Sequence, residues 1–171
     1  MSRKNKHSKL EHFQRNAAEY IYTGAHMTYV SEGKSRKRLL TELWGTGIGG
    51  GICLLAGGFL HIESFRGCFY VLLPYIVALV AAFSCLWTIS ELTSGGEPMR
   101  QYVHDATVLK LPGRAMIAAV VCILGQAIYC ILHSGGTVGV LLAFFLLEGA
   151  GATAMVLLFR CIRGANWQLE K

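Results

Sequence analysis

Between residues 115 and 159 the chain reads AMIAAVVCILGQAIYCILHSGGTVGVLLAFFLLEGAGATAMVLLF, and these 45 residues contain a single charged side chain, Glu148. A helix needs about 20 predominantly apolar residues to cross the hydrocarbon core of a bilayer, so this run is long enough for two spans. The break between them is predicted at residues 134–137, SGGT, because paired glycines and hydroxyl side chains favour a turn over the interior of a helix.

Two shorter runs without Asp, Glu, Lys or Arg precede it, at residues 43–62 and 67–90. Each run has the length of one span. We therefore predict an all-α integral membrane protein whose transmembrane domain, residues 43–159, is a four-transmembrane-helix bundle made of two helical hairpins. The predicted helices are 43–62, 69–90, 115–133 and 137–159.

The amino-acid composition agrees with this fold class. Hydrophobic residues make up 53% of the 171 residues and charged residues only 15%, whereas soluble domains carry about 25% charged residues. The mean hydropathy is +0.44. These values exclude a disordered chain, a collagen and a small disulfide scaffold.

The distribution of Lys and Arg predicts the orientation, because short segments that stay in the cytoplasm carry an excess of these residues. The tail of residues 1–42 contains nine, and the middle loop and the tail of residues 160–171 contain three each, whereas the first and third loops share only Arg66. We expect a multi-pass protein of the cell (plasma) membrane with both termini in the cytoplasm. Trp44 and Trp87 fall at the predicted cytoplasmic helix ends, where indole rings favour the headgroup level.

The basic tail contains one segment with strand character, residues 19–30. Two short β-prone runs, residues 20–23 and 27–30, flank Gly24 and predict a small β-hairpin. A lone hairpin is marginally stable in water, so it would need to pack on the cytoplasmic loop or on a second protein. The rest of the tail is interpreted as a topology signal and not as a nucleic-acid site.

The middle loop predicts an interfacial cytoplasmic helix at residues 98–110. Pro98 suits a first helical position, and Pro112-Gly113 would end the helix before the third span. Two interpretations stay open, a connector that shields the bundle and a docking helix for a partner. The apolar residues that recur at helical spacing are Met99, Tyr102, Val103, Ala106 and Leu109.

Glu148 is the strongest candidate for a functional residue. A charged group near the bilayer centre is costly and is usually kept for a function, and no Lys or Arg lies at a comparable depth. The acid is therefore expected to be neutral and able to hold or pass a proton. Gln126 on the third helix is the predicted hydrogen-bond partner. Three interpretations stay open: a structural clasp between helices 3 and 4, a proton or substrate site, and an isolated acid that faces lipid.

Glycines predict where helices pack closely. The first span contains seven, and Gly47, Gly50, Gly51 and Gly58 are expected to share one face with Leu54. Small residues at this spacing let two backbones approach, within the bundle or across a homodimer. Gly151 lies on the helix face of Glu148 and would leave room beside the carboxyl group.

Cysteines and histidines give no metal or redox motif. The six cysteines include no C-x-x-C pair, so a zinc site and a disulfide-forming enzyme are disfavoured. His61 and His133 each follow a leucine, 72 residues apart, which allows a duplicated hairpin. They are weak metal candidates, and the simpler interpretation is two interfacial histidines. No cofactor and no metal is predicted.

Two function hypotheses remain. The first is an accessory or regulatory subunit of a larger membrane complex, with no catalytic site. The alternative is a proton-coupled small-molecule transporter that works as a homo-oligomer through Glu148. An enzyme is disfavoured because one acid without a convergent nucleophile, base or metal is not an active site. The predicted partners are the lipid bilayer and either a protein partner or further copies of the chain, and no nucleic acid.

Overall fold

The computed structural model describes residues 13–16, 19–22, 24–31, 33–60, 69–132 and 138–170. In these residues, long apolar helices build a bundle, and short strands lie before, between and after them. The helices are α1 (Arg36–Phe59), α2 (Phe69–Ser94), α3 (Gln101–Thr107), α4 (Leu111–Leu132) and α5 (Val138–Arg163). The strands are β1 (Phe13–Asn16), β2 (Glu19–Tyr22), β3 (His26–Tyr29), β4 (Met99–Arg100) and β5 (Trp167–Glu170).

Four of the helices are long and apolar enough to cross a membrane, which confirms the predicted number of long apolar helices. Their ends differ from the predicted ones, because charged residues extend the helices beyond the apolar runs. Helix α1 begins at Arg36 and not at residue 43, since the Ser35 side chain caps it by accepting a hydrogen bond from the Arg38 N–H at 3.3 Å. Helix α5 continues to Arg163, past the predicted end at residue 159.

The four long helices form an up-down-up-down ring in which each packs on two neighbours. Helix α1 lies between α5 and α2, and α4 lies between the same two helices on the opposite side. The outward faces are apolar, with Ile52, Val80, Ile123 and Leu146 more than half exposed. Such a surface is unfavourable in water and suits contact with lipid chains.

Three strands form an antiparallel sheet in the order β4-β3-β5. Met27 pairs with Met99, and Tyr29 pairs with Trp167. The sheet therefore brings together residues before α1, between α2 and α4, and after α5. We call this end of the bundle the sheet end. The opposite end, where α1 and α4 end and α2 and α5 begin, we call the loop end.

Basic side chains fasten the helices at the sheet end. Arg36 donates to the Leu92 carbonyl oxygen at 3.1 Å, and Arg114 donates to the Ser84 carbonyl oxygen at 3.1 Å and to the Thr88 hydroxyl group. Both arginines thus bind helix α2 from its neighbours. At the surface, Lys34 donates to Glu42 at 2.6 Å, and this hydrogen bond raises the pKa of Lys34.

The predicted hairpin of residues 20–23 with residues 27–30 is wrong. Strand β2 pairs with β1 in a separate two-stranded sheet, whereas β3 pairs with β4 and β5. As a central strand, β3 has backbone hydrogen-bonding partners on both edges, while a hairpin would supply only one. Its partners lie far along the chain, so local turn signals could not predict them.

The predicted helix of residues 98–110 is also corrected. The Glu97–Pro98 peptide bond is cis. Because the next two residues form strand β4, helix α3 begins only at Gln101, and it ends at Thr107. The Gln101 N–H donates to the Ala25 carbonyl oxygen at 3.0 Å, which ties the helix start to the sheet. Pro112 lies inside the first turn of α4 rather than ending a helix, because N–H groups there need no helical partner.

Candidate functional site

Helices α1 and α5 approach each other most closely where glycines face one another. A β-carbon on Gly50 would lie 2.8 Å from Met155 Cε and 3.1 Å from Ala154 Cβ, and one on Gly151 would lie 2.8 Å from Leu54 Cδ2. Each would also lie 3.5 Å from the other glycine's carbonyl oxygen. The glycine seam, as we call this contact, is therefore inside the bundle and not a surface for a second copy.

The other predicted glycines divide between this seam and its flanks. Gly47 and Gly51 are buried towards α2, where Leu86 is the nearest side chain. Gly58 is exposed, contrary to the predicted face, and Gly57 takes its place in the buried stripe. Gly58 still has a packing role, because a β-carbon there would overlap the hydroxyl group of Tyr75.

Glu148 lies at the loop-end side of the glycine seam and points into the bundle. Only 3% of its surface is exposed. The Cys122 thiol on α4 is 2.7 Å from Glu148 Oε2 and 3.3 Å from the Glu148 carbonyl oxygen. The other carboxyl oxygen, Oε1, faces Gly57, where a β-carbon would lie 3.1 Å away. The interpretation of Glu148 as a lipid-facing acid is therefore wrong.

Gln126 does not make the hydrogen bond that we predicted with Glu148. Cys122 lies one helical turn before Gln126 on the same face of α4, and it is the residue level with the acid. Among the described residues, Gln126 Nε2 and Glu148 Oε1 are both buried without a hydrogen-bond partner. A buried polar atom in this condition costs about 1–3 kcal/mol, so each of these atoms would be stabilised by a further hydrogen bond.

Along the bundle axis, packed side chains lie on both sides of the acid. Towards the loop end, Tyr129 and Phe144 are buried with Val71, and the rings of Tyr129 and Phe144 are 6.1 Å apart between centroids. Towards the sheet end, the interior is filled by alanine side chains of α2, α4 and α5, by Met155 of α5 and by Leu54 of α1. The acid and the thiol thus lie together inside a mostly apolar bundle, with the Gln126 amide one helical turn further towards the loop end.

On the side of the acid that faces α1 and α2 lies Tyr75 of α2. The Tyr75 hydroxyl donates to the Leu54 carbonyl oxygen at 3.0 Å, and Leu54 lies one turn before Gly57 on the buried stripe of α1. Tyr75 is close enough to Glu148 for the two side chains to interact electrostatically. All four long helices therefore contribute a residue beside the carboxyl group.

The carboxyl group of Glu148 and the thiol of Cys122 can each bind or release a proton and can donate or accept a hydrogen bond. The described residues include no cluster of three or more metal-binding side chains. The weak metal candidates His61 and His133 lie outside the described residues. Five cysteines are free thiols in the described part of the chain, namely Cys53, Cys85, Cys122, Cys130 and Cys161.

Sequence reasoning missed three residues that lie beside the carboxyl group. One is Tyr75 of α2, and the other two are Cys122 of α4 and Gly57 of α1. Cys122 resembles an ordinary small apolar residue of a membrane span, but it precedes Gln126 by four residues, a spacing that places both on one helix face. Gly57 and Gly58 are adjacent, and only the rotation of α1 against α5 decides which of them is buried. Cys122 could therefore have been found from its spacing in the sequence, whereas Gly57 could not.

Comparisons of the chain with protein-family models, with characterised proteins and with solved structures gave no match.

Proposed function

We propose that the protein is a small multi-pass membrane protein that acts as an accessory or regulatory subunit of a larger membrane complex. The observation that carries the proposal is the convergence of three distant segments at the sheet end. Strands β3, β4 and β5 together with helix α3, which we call the platform, form a folded surface on a bundle that otherwise presents apolar side chains.

The platform has the properties of a contact surface. It is rigidly held, since Trp167 packs edge-on against Tyr29 at 5.3 Å and against His104 at 5.6 Å between ring centroids. Its outer strand β5 is open, with Gln168 and Glu170 exposed and Leu169 57% exposed. An open groove runs beside this strand, lined by Val30, Ser31, Gly33, Asn166, Trp167 and Gln168. An exposed edge strand favours pairing with a strand of a protein partner.

The proposal includes an orientation, with the sheet end in the cytoplasm of a cell whose plasma membrane holds the bundle. Its support is the basic residues, because the three segments that converge at the platform carry fifteen of the sixteen Lys and Arg residues. Short basic segments are retained in the cytoplasm. Trp87 adds to this support, since its indole is 70% exposed near the sheet end and donates to Glu91 at 3.1 Å.

Cross-linking in native membranes tests the partner. A photoreactive residue placed at Gln168 on the platform is expected to give one discrete product with a larger membrane protein. The matched control is Ile131, which is 80% exposed at the loop-end part of α4 and should react with lipid only. A Gln168 variant that yields no protein product, or yields only dimers of this chain, would contradict the accessory function.

A second candidate function is a proton-coupled small-molecule transporter. The observation that favours it is two buried polar atoms, Glu148 Oε1 and Gln126 Nε2, that have no hydrogen-bond partner among the described residues. An intramembrane acid with unused hydrogen-bonding capacity is a typical feature of proton-coupled sites. Because the glycine seam is used within the bundle, a homo-oligomer would have to form through other helix faces.

Proton flux in proteoliposomes tests this second candidate. With a pH dye inside and a panel of amines and weak acids outside, the wild-type protein should move protons, and Glu148→Gln should reduce the flux about 100-fold, as expected for loss of a proton-transferring group. Glu91→Gln is the control, since it removes an exposed carboxyl group at the sheet end. Flux that survives in Glu148→Gln would rule out the transporter.

A further inference from the structure

We propose that Glu148 is a proton-binding site that exchanges its proton with the loop end of the bundle, through Gln126 and Tyr129, and not with the sheet end. The inference deepens the transporter candidate and rests on it for the idea that the proton exchanges. Its test measures protonation and not transport, so that either can fail without the other.

The occupant is a proton because the site offers no positive charge and little space. Among the described residues, the titratable groups that face Glu148 are the Cys122 thiol from α4 and the Tyr75 hydroxyl from α2, while α1 presents Gly57. A buried carboxylate without a cation is far costlier than the neutral acid. A proton, unlike a metal ion or an organic cation, needs no cavity.

The end of helix α1 adds a second reason for a neutral acid. Gly57 lies in the last turn of α1, which ends at Phe59, and the Gly57 carbonyl oxygen accepts a hydrogen bond from the Leu60 N–H at 3.3 Å. The C-terminus of a helix carries the negative end of its dipole. Glu148 Oε1 faces this turn, so a negative charge there would be repelled and a bound proton favoured.

Polar side chains follow one another along the inner face of α4 from the level of the acid towards the loop end. Cys122, Gln126 and Tyr129 lie at positions i, i+4 and i+7 of α4, which places them in one row along the inner face of the helix. Tyr129 is buried and lies three residues before the end of α4, about 5 Å along the axis. An amide and a hydroxyl group can each donate and accept a hydrogen bond, as a proton path requires.

The structure on the sheet-end side is different. The interior of α4 between Cys122 and Arg114 contains Ala118 and Ala119, both buried, over about 12 Å of helix. The Arg114 guanidinium group and the Thr88 hydroxyl group at the far side of this gap are already hydrogen-bonded to each other. Among the described residues, the core cluster between these two levels contains alanine, leucine and methionine side chains, so it offers an entering proton no hydroxyl, amide or charged group before Cys122.

Infrared spectroscopy of the full-length protein in sealed vesicles tests the inference. Protease access to a tag placed after Lys171 reports which end faces outward. At neutral pH on both sides, the spectrum should contain a carbonyl stretching band of a neutral carboxylic acid that is absent from Glu148→Gln. An alkaline, membrane-impermeant buffer at the loop end should remove this band, and the same buffer at the sheet end should leave it.

A second variant tests the path. Gln126→Leu removes the amide while keeping a side chain of similar size, and it should slow the response to loop-end buffer about tenfold, the effect of losing one hydrogen-bonding step. Three results would overturn the proposal: an ionised Glu148 at neutral pH, a band that responds only to the sheet end, or a band that responds to neither side.

Discussion

Replacing Gly50 with leucine is expected to lower the free energy of unfolding of the bundle by about 3 kcal/mol, the upper part of the range for overpacked cores. The reason is the narrowness of the glycine seam. A β-carbon at Gly50 would already lie 3.1 Å from the β-carbon of Ala154, which cannot rotate away. The remaining three carbons of leucine would force α1 and α5 apart and would separate Gly57 from Glu148.

The neighbouring residue supplies a matched control. Gly49 is exposed, and no atom outside its own helix segment lies within 4 Å of a β-carbon built there. Gly49→Leu should therefore leave the stability unchanged or raise it by about 0.5–1 kcal/mol, because leucine is the better helix former. Gly50→Ala should fall between the two, since the Met155 side chain can move aside.

Denaturation in mixed micelles, followed by helicity and tryptophan fluorescence, measures all three variants. Equal destabilisation by Gly49→Leu and Gly50→Leu would show that the seam is not where α1 and α5 depend on small residues. A lower free energy of unfolding in Gly50→Leu alone would show that the closest helix contact of the bundle is the one between α1 and α5.

The four long apolar helices could be predicted from the sequence because each depends on local composition. A bilayer requires about 20 apolar residues for one crossing, and the runs that satisfy this can be counted without knowing any tertiary contact. Their ends were less accurate. Helix α1 begins at Arg36 because Ser35 caps it, and the capping residue lies outside the apolar run that was used to find the span.

The platform could not be predicted in the same way. Strand β3 pairs with two residues after α2 and four residues after α5, and this register is set by the packing of the bundle beneath it. The sequence of residues 19–30 shows strand propensity, but propensity does not identify a partner. A local hairpin was therefore the simplest interpretation, and long-range pairing replaced it.

At the candidate site, sequence reasoning found the acid but not its partner. Glu148 is conspicuous as the one charge in a 45-residue run. Which α4 residue meets it depends on the axial offset of two antiparallel helices, and a shift of one turn exchanges Gln126 for Cys122. The sequence also does not fix how α1 is rotated about its axis, so Gly58 was predicted on the buried face that Gly57 occupies.

Replacing Trp167 with alanine is expected to release strand β5 from the platform while leaving the four-helix bundle folded. The indole contacts both the Tyr29 ring and the His104 imidazole, and so it joins β5 to β3 and to α3. Among the described residues its Nε1 has no hydrogen-bond partner, so the contact is one of packing. A half-buried tryptophan of this kind should contribute about 2–3 kcal/mol, somewhat less than a fully buried one.

Amide hydrogen exchange measures this effect residue by residue. A loss of about 2–3 kcal/mol corresponds to roughly 30- to 150-fold faster exchange, since each 1.36 kcal/mol is a factor of ten, and the acceleration should be confined to β3 and β5. Leu169→Ala is the control on the same strand, because its side chain is 57% exposed and its removal should change exchange little.

The result bears directly on the accessory function, because a partner that binds the platform requires β5 to be in place. If Trp167→Ala accelerates exchange and also abolishes the cross-link from Gln168, the folded platform is the binding surface. If exchange accelerates but the cross-link persists, the partner recognises residues beside the sheet, and the convergence of three segments serves the stability of the bundle instead. Unchanged exchange would mean that the backbone pairing of β3 with β5 holds the platform without the aromatic contacts.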